Sequence, residues 1–513
     1  MNDASARHAA ARLRAAYLGA LLALWPLSGL WIGLSALTLS PGAAGAVNGT
    51  LPVLFILVLA GLARQVARTM PEAVWSAAFW FPAQAAVFSG FGPLVEVYGT
   101  ASTRAALAAH PLSLSPAGLL EAGALAAFGV TLVLSGLWLH MIAAPRDWAR
   151  GRTRAQGTAQ GTVDALRLGL AFVIAGGALK YLLINPGQWG LTGRVVPGAV
   201  SNLGALTDVG FALLAFAAAA GHRGARAAFW ALWPLHLALS ALSFAKLDIM
   251  LALVLPAIGA FLAHRKPGRL VISLAIAGAL YTAAQPYVHH GRAAVADATG
   301  TLNGAGYAAR AGIARDYLRD PGAGASAAGA SGRQGWWTRL SFAGPQAFAI
   351  EARARGLSYL PLADAWVYLV PRVLWPGKPV LPGPGLEVHR LVTGAPDAES
   401  FLALSIYGDL YWQFGWAGLW LGCPLVGWLF AMMSTHAIRA VRARAFIMLP
   451  AVLLALEMAI LGPNRFVVTG ILGPLPIYLA YIGAAGALGW LARWLGHGPA
   501  PISLARRRRA QGW

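Results

Sequence analysis

Twelve apolar stretches of about 20 residues recur along this chain, and what separates them decides what it can fold into. They fall near residues 16–39, 43–63, 73–94, 118–143, 165–187, 204–221, 227–245, 249–263, 269–287, 410–433, 445–461 and 468–491. A stretch of that length, wound as a helix, spans the roughly 30 Å hydrocarbon layer of a bilayer. Inside lipid the backbone must satisfy its own hydrogen bonds, which a helix does within one segment. Charged residues make up 11% of the chain, where soluble domains carry roughly 25%. The prediction is an all-α integral membrane protein with about 12 transmembrane helices.

The distribution of charge predicts how the helices run. The formal charge of +21 invites a polyanionic partner, but 23 of the 39 basic residues fall in segments that share one side if the helices alternate, with only Asp3, Glu72, Asp147 and Asp164 beside them. That asymmetry is what cytoplasmic loops show. The charge is therefore a topology signal, and no nucleic-acid partner is expected. Residues 1–15 do not read as a cleavable leader, because the apolar run behind them is too long. The RRRR run at 506–509 reads as a cytoplasmic stop signal that could also touch anionic lipid. One cysteine, Cys423, rules out a disulfide framework. The chain divides into a bundle of about nine spans at 1–287, a long outer loop at 288–409, three further spans at 410–491 and a basic tail at 492–513.

The outer loop gathers most of the candidate chemistry. Segment 288–402 holds 11 basic and 8 acidic residues, and a connection this long is usually functional or disordered. Residues 321–335, rich in Gly, Ala and Ser, read as a linker. Residues 336–402 read as ordered, with amphipathic helical pieces at 345–356 and 361–370. Five prolines from Pro371 to Pro384 stop the backbone there from relaxing into helix. Within PRVLWPGKP at 371–379, Arg372 and Lys378 flank Trp375 on a proline-braced turn. That arrangement suits an anion, with arginine offering the planar fork that phosphate takes. It would equally suit a loop wedged on the bilayer by Trp375, its cations on lipid head groups.

Other outer-face residues extend the candidate site. Arg339 lies in the loop, Lys246 in the turn SFAKLDIM at 243–250, and Arg465 in the turn LGPNRFVV at 461–468. Each is either an anion ligand or an anchor whose stem lies along apolar surface, and Asp248 could neutralise Lys246 locally. In SIYGDLYWQF at 405–414, Tyr407 and Asp409 lead into a span, and an acid there calls for a cationic partner. His389, Glu399 and Asp409 are the candidate proton acceptors, Asp409 equally a structural acid. His289 and His290 beside Arg292 lack other ligand types at metal-binding spacing, so no metal is expected. Segment 188–203 is short and Gly-rich enough to re-enter the membrane.

PRVLWPGKP, with RGLSYL at 355–360 before it and SIYGDLYWQFGWAGLWLG at 405–422 after it, resembles the bacterial O-antigen polymerases of the Wzy type. SFAKLDIMLALVLP at 243–256 and PNRF at 463–466 support the resemblance; the first 160 residues add almost nothing, and the Gly/Ala insert departs from the family. The resemblance implies a GT-C-like glycosyltransferase of the inner membrane with one large periplasmic loop carrying short helices. It implies metal-independent transfer of oligosaccharide repeat units from undecaprenyl pyrophosphate, without a cofactor, and a chain-length regulator as a partner beside membrane lipids. The family's basic outer-face residues map to Lys246, Arg339, Arg372, Lys378 and Arg465, with Trp375 and Tyr407 beside the glycan. A ligase-like glycan transferase and a lipid-linked-oligosaccharide flippase are the competing functions. The poverty of ionisable groups in the spans (Glu121, Lys180, Asp208 and Glu457 stand out) weighs against a flippase.

Overall fold

The computed structural model describes residues 3–149, 158–193, 196, 198–300, 304–321, 335–357, 361–370, 375, 377–379, 383–394 and 402–494. Among them there is no β-strand. The principal helices are α1 (Asp3–Ser35), α2 (Pro41–Thr69), α3 (Ala77–Ala85), α4 (Pro116–Ala143), α5 (Thr158–Ala178), α6 (Ala205–Ala219), α7 (Arg223–Ala241), α8 (Lys246–His264) and α9 (Pro267–Thr299). After these come α10 (Tyr307–Arg319), α11 (Ala343–Ala354), α12 (Pro384–Thr393), α13 (Ser405–Phe414), α14 (Trp416–Ala443), α15 (Leu449–Ile460) and α16 (Leu475–Trp494).

Ten helical segments are long and apolar enough to cross a membrane, so the chain is a multi-pass membrane protein. They coincide with ten of the twelve expected spans. The expected span 73–94 is not one helix. Pro71–Trp75 is 3-10, α3 follows, Ala86–Phe91 is a π-turn, and Gly92–Leu94 is 3-10 again. Pro71 and Pro93 stand at the starts of the two 3-10 turns, while Pro82 lies inside α3. Irregular backbone survives at this depth only where protein surrounds it, and Ala73, Val74, Ala77, Ala78, Phe81 and Ala85 are all fully buried. The segment is a core, with the lipid-facing work left to its neighbours. The other missing span, 227–245, forms α7, whose apolarity is diluted by Arg223, Arg226 and His236.

The expected boundary at 287 also moves. Pro286 lies inside α9 without ending it, and a 33-residue helix is about 50 Å long. The helix therefore outruns a bilayer core and carries His289, His290 and Arg292 beyond it as an ordered extension.

Helix–helix closure rests on small residues. A Cβ on Gly427 would lie 1.9 Å from the Val133 carbonyl oxygen, and one on Gly136 would lie 2.1 Å from that of Pro424. Only glycine lets α4 and α14 approach so closely, the device by which membrane helices pack where hydrophobic burial gives no preference. One end of the bundle collects the short basic loops. There Arg265 pairs with Glu72 at 3.3 Å and Arg439 with Asp147 at 2.7 Å, while Arg442 Nη1 donates to the Trp148 carbonyl at 3.0 Å. At the opposite end lie the long segments and the candidate site.

Candidate functional site

The opposite end is assembled by contacts between parts of the chain remote in sequence. Trp337 stacks on Phe91 with ring centroids 4.9 Å apart, and its indole N–H donates to the Phe91 carbonyl at 2.9 Å. This pins the turn Thr338–Leu340, and with it Arg339, to the π-turn after α3. On the other side, Val388 of α12 packs with Leu404, Trp412 and Phe466. Arg353 of α11 donates to the Trp412 carbonyl at 3.0 Å. The expected helical pieces at 345–356 and 361–370 appear as α11 and as a 3-10 turn, Pro361–Asp364, followed by the short helix Ala365–Leu369.

Lys246, at the start of α8, donates to the side-chain oxygen of Gln285 on α9. Arg292, one turn beyond His289 on α9, and Arg339 stand close enough for their charge to act on both Lys246 and His289. No carboxylate pairs with Lys246, His289, Arg292 or Arg339 among the described residues. Asp248 does not neutralise Lys246 as its spacing suggested. Two residues along the helix turn it about 200° away from Lys246, and its Oδ1 lies 3.3 Å from Lys180 Nζ. Four cationic or proton-binding side chains thus stand near one another with no counter-ion among the described residues, Arg292 and Arg339 being exposed.

The remaining candidates separate. Arg465 lies 3.8 Å from Glu457, so it is partly offset by an acid of α15. Lys378 Nζ donates to the Val370 carbonyl at 3.0 Å, and Trp375 stacks on Trp366 at 5.2 Å. His389 is half-buried on α12 beside the packed Val388. Arg372 and Glu399 lie outside the described residues, as do 322–334 of the expected linker. Tyr407 corrects the expectation that it touches glycan. It is 1% exposed, and its ring fills the space where a Cβ on Gly129 would stand. Its place is in the α4–α13 packing.

Asp409 is also corrected, because no arginine pairs with it among the described residues. It is fully buried; Oδ2 accepts the Val467 N–H at 2.8 Å and Oδ1 accepts from Gln413 Nε2 at 2.6 Å. Gln413 Oε1 in turn accepts the Leu362 N–H at 3.0 Å. Burial pushes the Asp409 carboxyl up to about 7, and the two donors only partly offset this. With both oxygens occupied inside the fold, it joins the loop, α13 and the turn at Arg465, and is no candidate base for a bound substrate.

A second polar assembly was legible only as isolated residues. Lys180 Nζ lies 3.4 Å from Asp208 Oδ2, and Asp208 Oδ1 lies 3.1 Å from His236 Nε2. The other ring nitrogen of His236 is 2.6 Å from the Tyr181 hydroxyl. Lys180 and Tyr181 sit on a π-turn, Leu179–Ile184, and such turns recur at functional sites. Two further π-turns, Ala86–Phe91 and Val468–Leu472, adjoin Arg339 and Arg465. Ionisable residues in apolar spans are the signal that could have marked this assembly, but Asp208, His236 and Asp248 lie on three different helices.

Fold and site define a multi-pass, all-α membrane protein whose accessible cations converge at the end away from its short basic loops. Comparison with protein-family models, with curated protein sequences and with solved structures finds no match for the chain.

Proposed function

We propose that this protein is a polysaccharide polymerase of the Wzy type, joining undecaprenyl-pyrophosphate-linked oligosaccharide repeat units on the periplasmic face of a bacterial inner membrane. The observation that carries the reading is that Lys246, Arg292, Arg339 and His289 stand close enough for their charges to act on one another, with no carboxylate paired to them among the described residues. Unpaired cations held together repel one another, and an arrangement of that kind suits a dianionic partner. When a sugar hydroxyl attacks the anomeric carbon of a lipid-linked glycan, negative charge develops on the departing pyrophosphate. Preorganised donors aimed at such charge are commonly worth roughly 3–4 kcal/mol each. In a GT-C-like plan with one large outer loop of short helices, such a site would stand beside the lipid carrier.

Purified protein given lipid-linked repeat units tests the reading. Lys246→Ala and Arg339→Ala should each lower turnover about 10²–10³-fold with the yield of folded protein unchanged. Arg339→Lys should recover little of the loss, because the fork is gone. Normal polymer from the double variant would remove the cluster from the mechanism. A flippase is the competing reading, favoured by the ion network around Lys180, since charges within spans often mark transport paths. It predicts lipid-linked glycan crossing vesicle membranes without elongation.

A further inference from the structure

Between the two polar assemblies lies a cavity of about 410 Å³ lined by Asn185, Gln188, Trp189, Ser243, Asp248 and Arg292, together with Ala245. Side-chain amides, a hydroxyl, a carboxylate, a guanidinium and an indole share its wall, a set that suits the hydroxyls of a sugar far better than a lipid tail. The Asn185 side-chain nitrogen is buried, and among the described residues no partner meets it in full hydrogen-bond geometry, the Tyr307 hydroxyl being the group that interacts with this side chain.

The cavity is built to hold its shape. Phe244 adopts a left-handed backbone, φ 49°, a strain that persists only where surroundings impose it. Arg292 Nε donates to the Phe244 carbonyl at 2.9 Å, and Arg310 Nη1 reaches the carbonyls of Leu242 and Ser243 at 3.3 and 3.2 Å. Arg310, 1% exposed, stacks on Trp189 at 4.0 Å. The turn that launches Lys246 and Asp248 is therefore clamped by two arginines. The Asp248 side chain is 26% exposed, whereas Lys180 and Asp208 are 7% and 1% exposed. Two carboxylates share the one ammonium of Lys180, and Asp208 is further held by His236. Asp248 is the member of this assembly that meets the cavity, opposite a cation of the pyrophosphate cluster.

Resting on the polymerase reading, we infer that this cavity is the acceptor-sugar subsite and that Asp248 is the catalytic base. The acceptor hydroxyl gives its proton to the Asp248 carboxylate as its oxygen bonds to the anomeric carbon of the donor. The bond from that carbon to the pyrophosphate oxygen breaks, and its electron pair leaves with the pyrophosphate towards Lys246, Arg292 and Arg339. The proton on Asp248 then passes to water.

The test uses the full chain in lipid nanodiscs with repeat units extracted on their undecaprenyl pyrophosphate carrier from a strain lacking this protein. Asp248→Ala should lower kcat by about 10²–10⁴-fold, the usual contribution of a general base, and added formate should restore part of it. Asp248→Asn, which keeps the volume, should lose the same turnover without rescue. Both should bind undecaprenyl pyrophosphate as the wild type does. Asn185→Ala should raise KM and leave kcat nearly unchanged. Wild-type turnover in folded Asp248→Asn, or a lost rate in Asp248→Ala that formate leaves unmoved, would overturn the assignment while the polymerase reading stood. A wild-type protein that neither binds undecaprenyl pyrophosphate nor extends the glycan would overturn both.

Discussion

Asp409 is held inside the fold by two donors, a backbone N–H and a side-chain amide. An acid at the mouth of a span needed a partner, and that much is in the sequence. The partners are a backbone N–H from the turn after α15 and an amide one helical turn away, and no local spacing announces the first. Asp409→Asn would set an NH2 group against one of these donors, so a loss of about 1–3 kcal/mol is expected, read as a lower Tm at neutral pH. Linkage gives a second signature. The folded-state value is raised, to about 7, so the unfolded chain releases its proton first as pH rises. From this group alone, stability should fall as pH rises from about 4 to about 7 and level off above that. Asp409→Asn should flatten that part of the Tm profile, and an unchanged slope would show that the carboxyl ionises freely in the fold. Lys246 and Asp248 make a parallel case. Their spacing suggested a local pair, but helical geometry sends them to opposite assemblies, and Lys180, the true partner of Asp248, lies far earlier in the chain.

At the scale of elements, hydrophobic run length located ten spans because lipid imposes one requirement on all of them. It failed at 73–94, where protein replaces lipid as the surroundings and the run divides into 3-10, α and π pieces. It also placed the end of α9 too early, since a helix leaving the bilayer loses apolarity without losing its hydrogen bonds. Lys246 and Arg339 were legible among the outer-face cations, but that they meet was not, because Arg339 is placed by Trp337 on Phe91; Arg292 and His289 were missed as members of the site, because the overlong α9 carries them there. The close approach of α4 and α14 gives a sharp test at this scale. Gly427→Ala would drive a Cβ into the Val133 carbonyl, which no side-chain rotation relieves. Size-exclusion profiles in detergent should show loss of the folded peak, whereas Gly33→Ala, with nothing within 4 Å, should be neutral. Equal behaviour of the two would mean that the helices have room to part.

For the whole molecule, ion pairs join the basic loops at one end, and the unpaired cations gather at the other. A single buried cysteine makes this sidedness measurable. In a Cys423→Ser background, a cysteine at Gly335 should react with an impermeant thiol reagent from the periplasmic side, and one at Lys266 only after the membrane is opened. The reverse pattern would put the cluster in the wrong compartment for a periplasmic polymerase. The central claim, that Lys246, Arg292 and Arg339 form a pyrophosphate site, is tested most directly by equilibrium binding of undecaprenyl pyrophosphate to the purified protein. Binding should be saturable and should weaken about tenfold or more in Lys246→Ala and in Arg339→Ala, the loss expected for one charge-assisted hydrogen bond. Equal affinity in the wild type and both variants would contradict it.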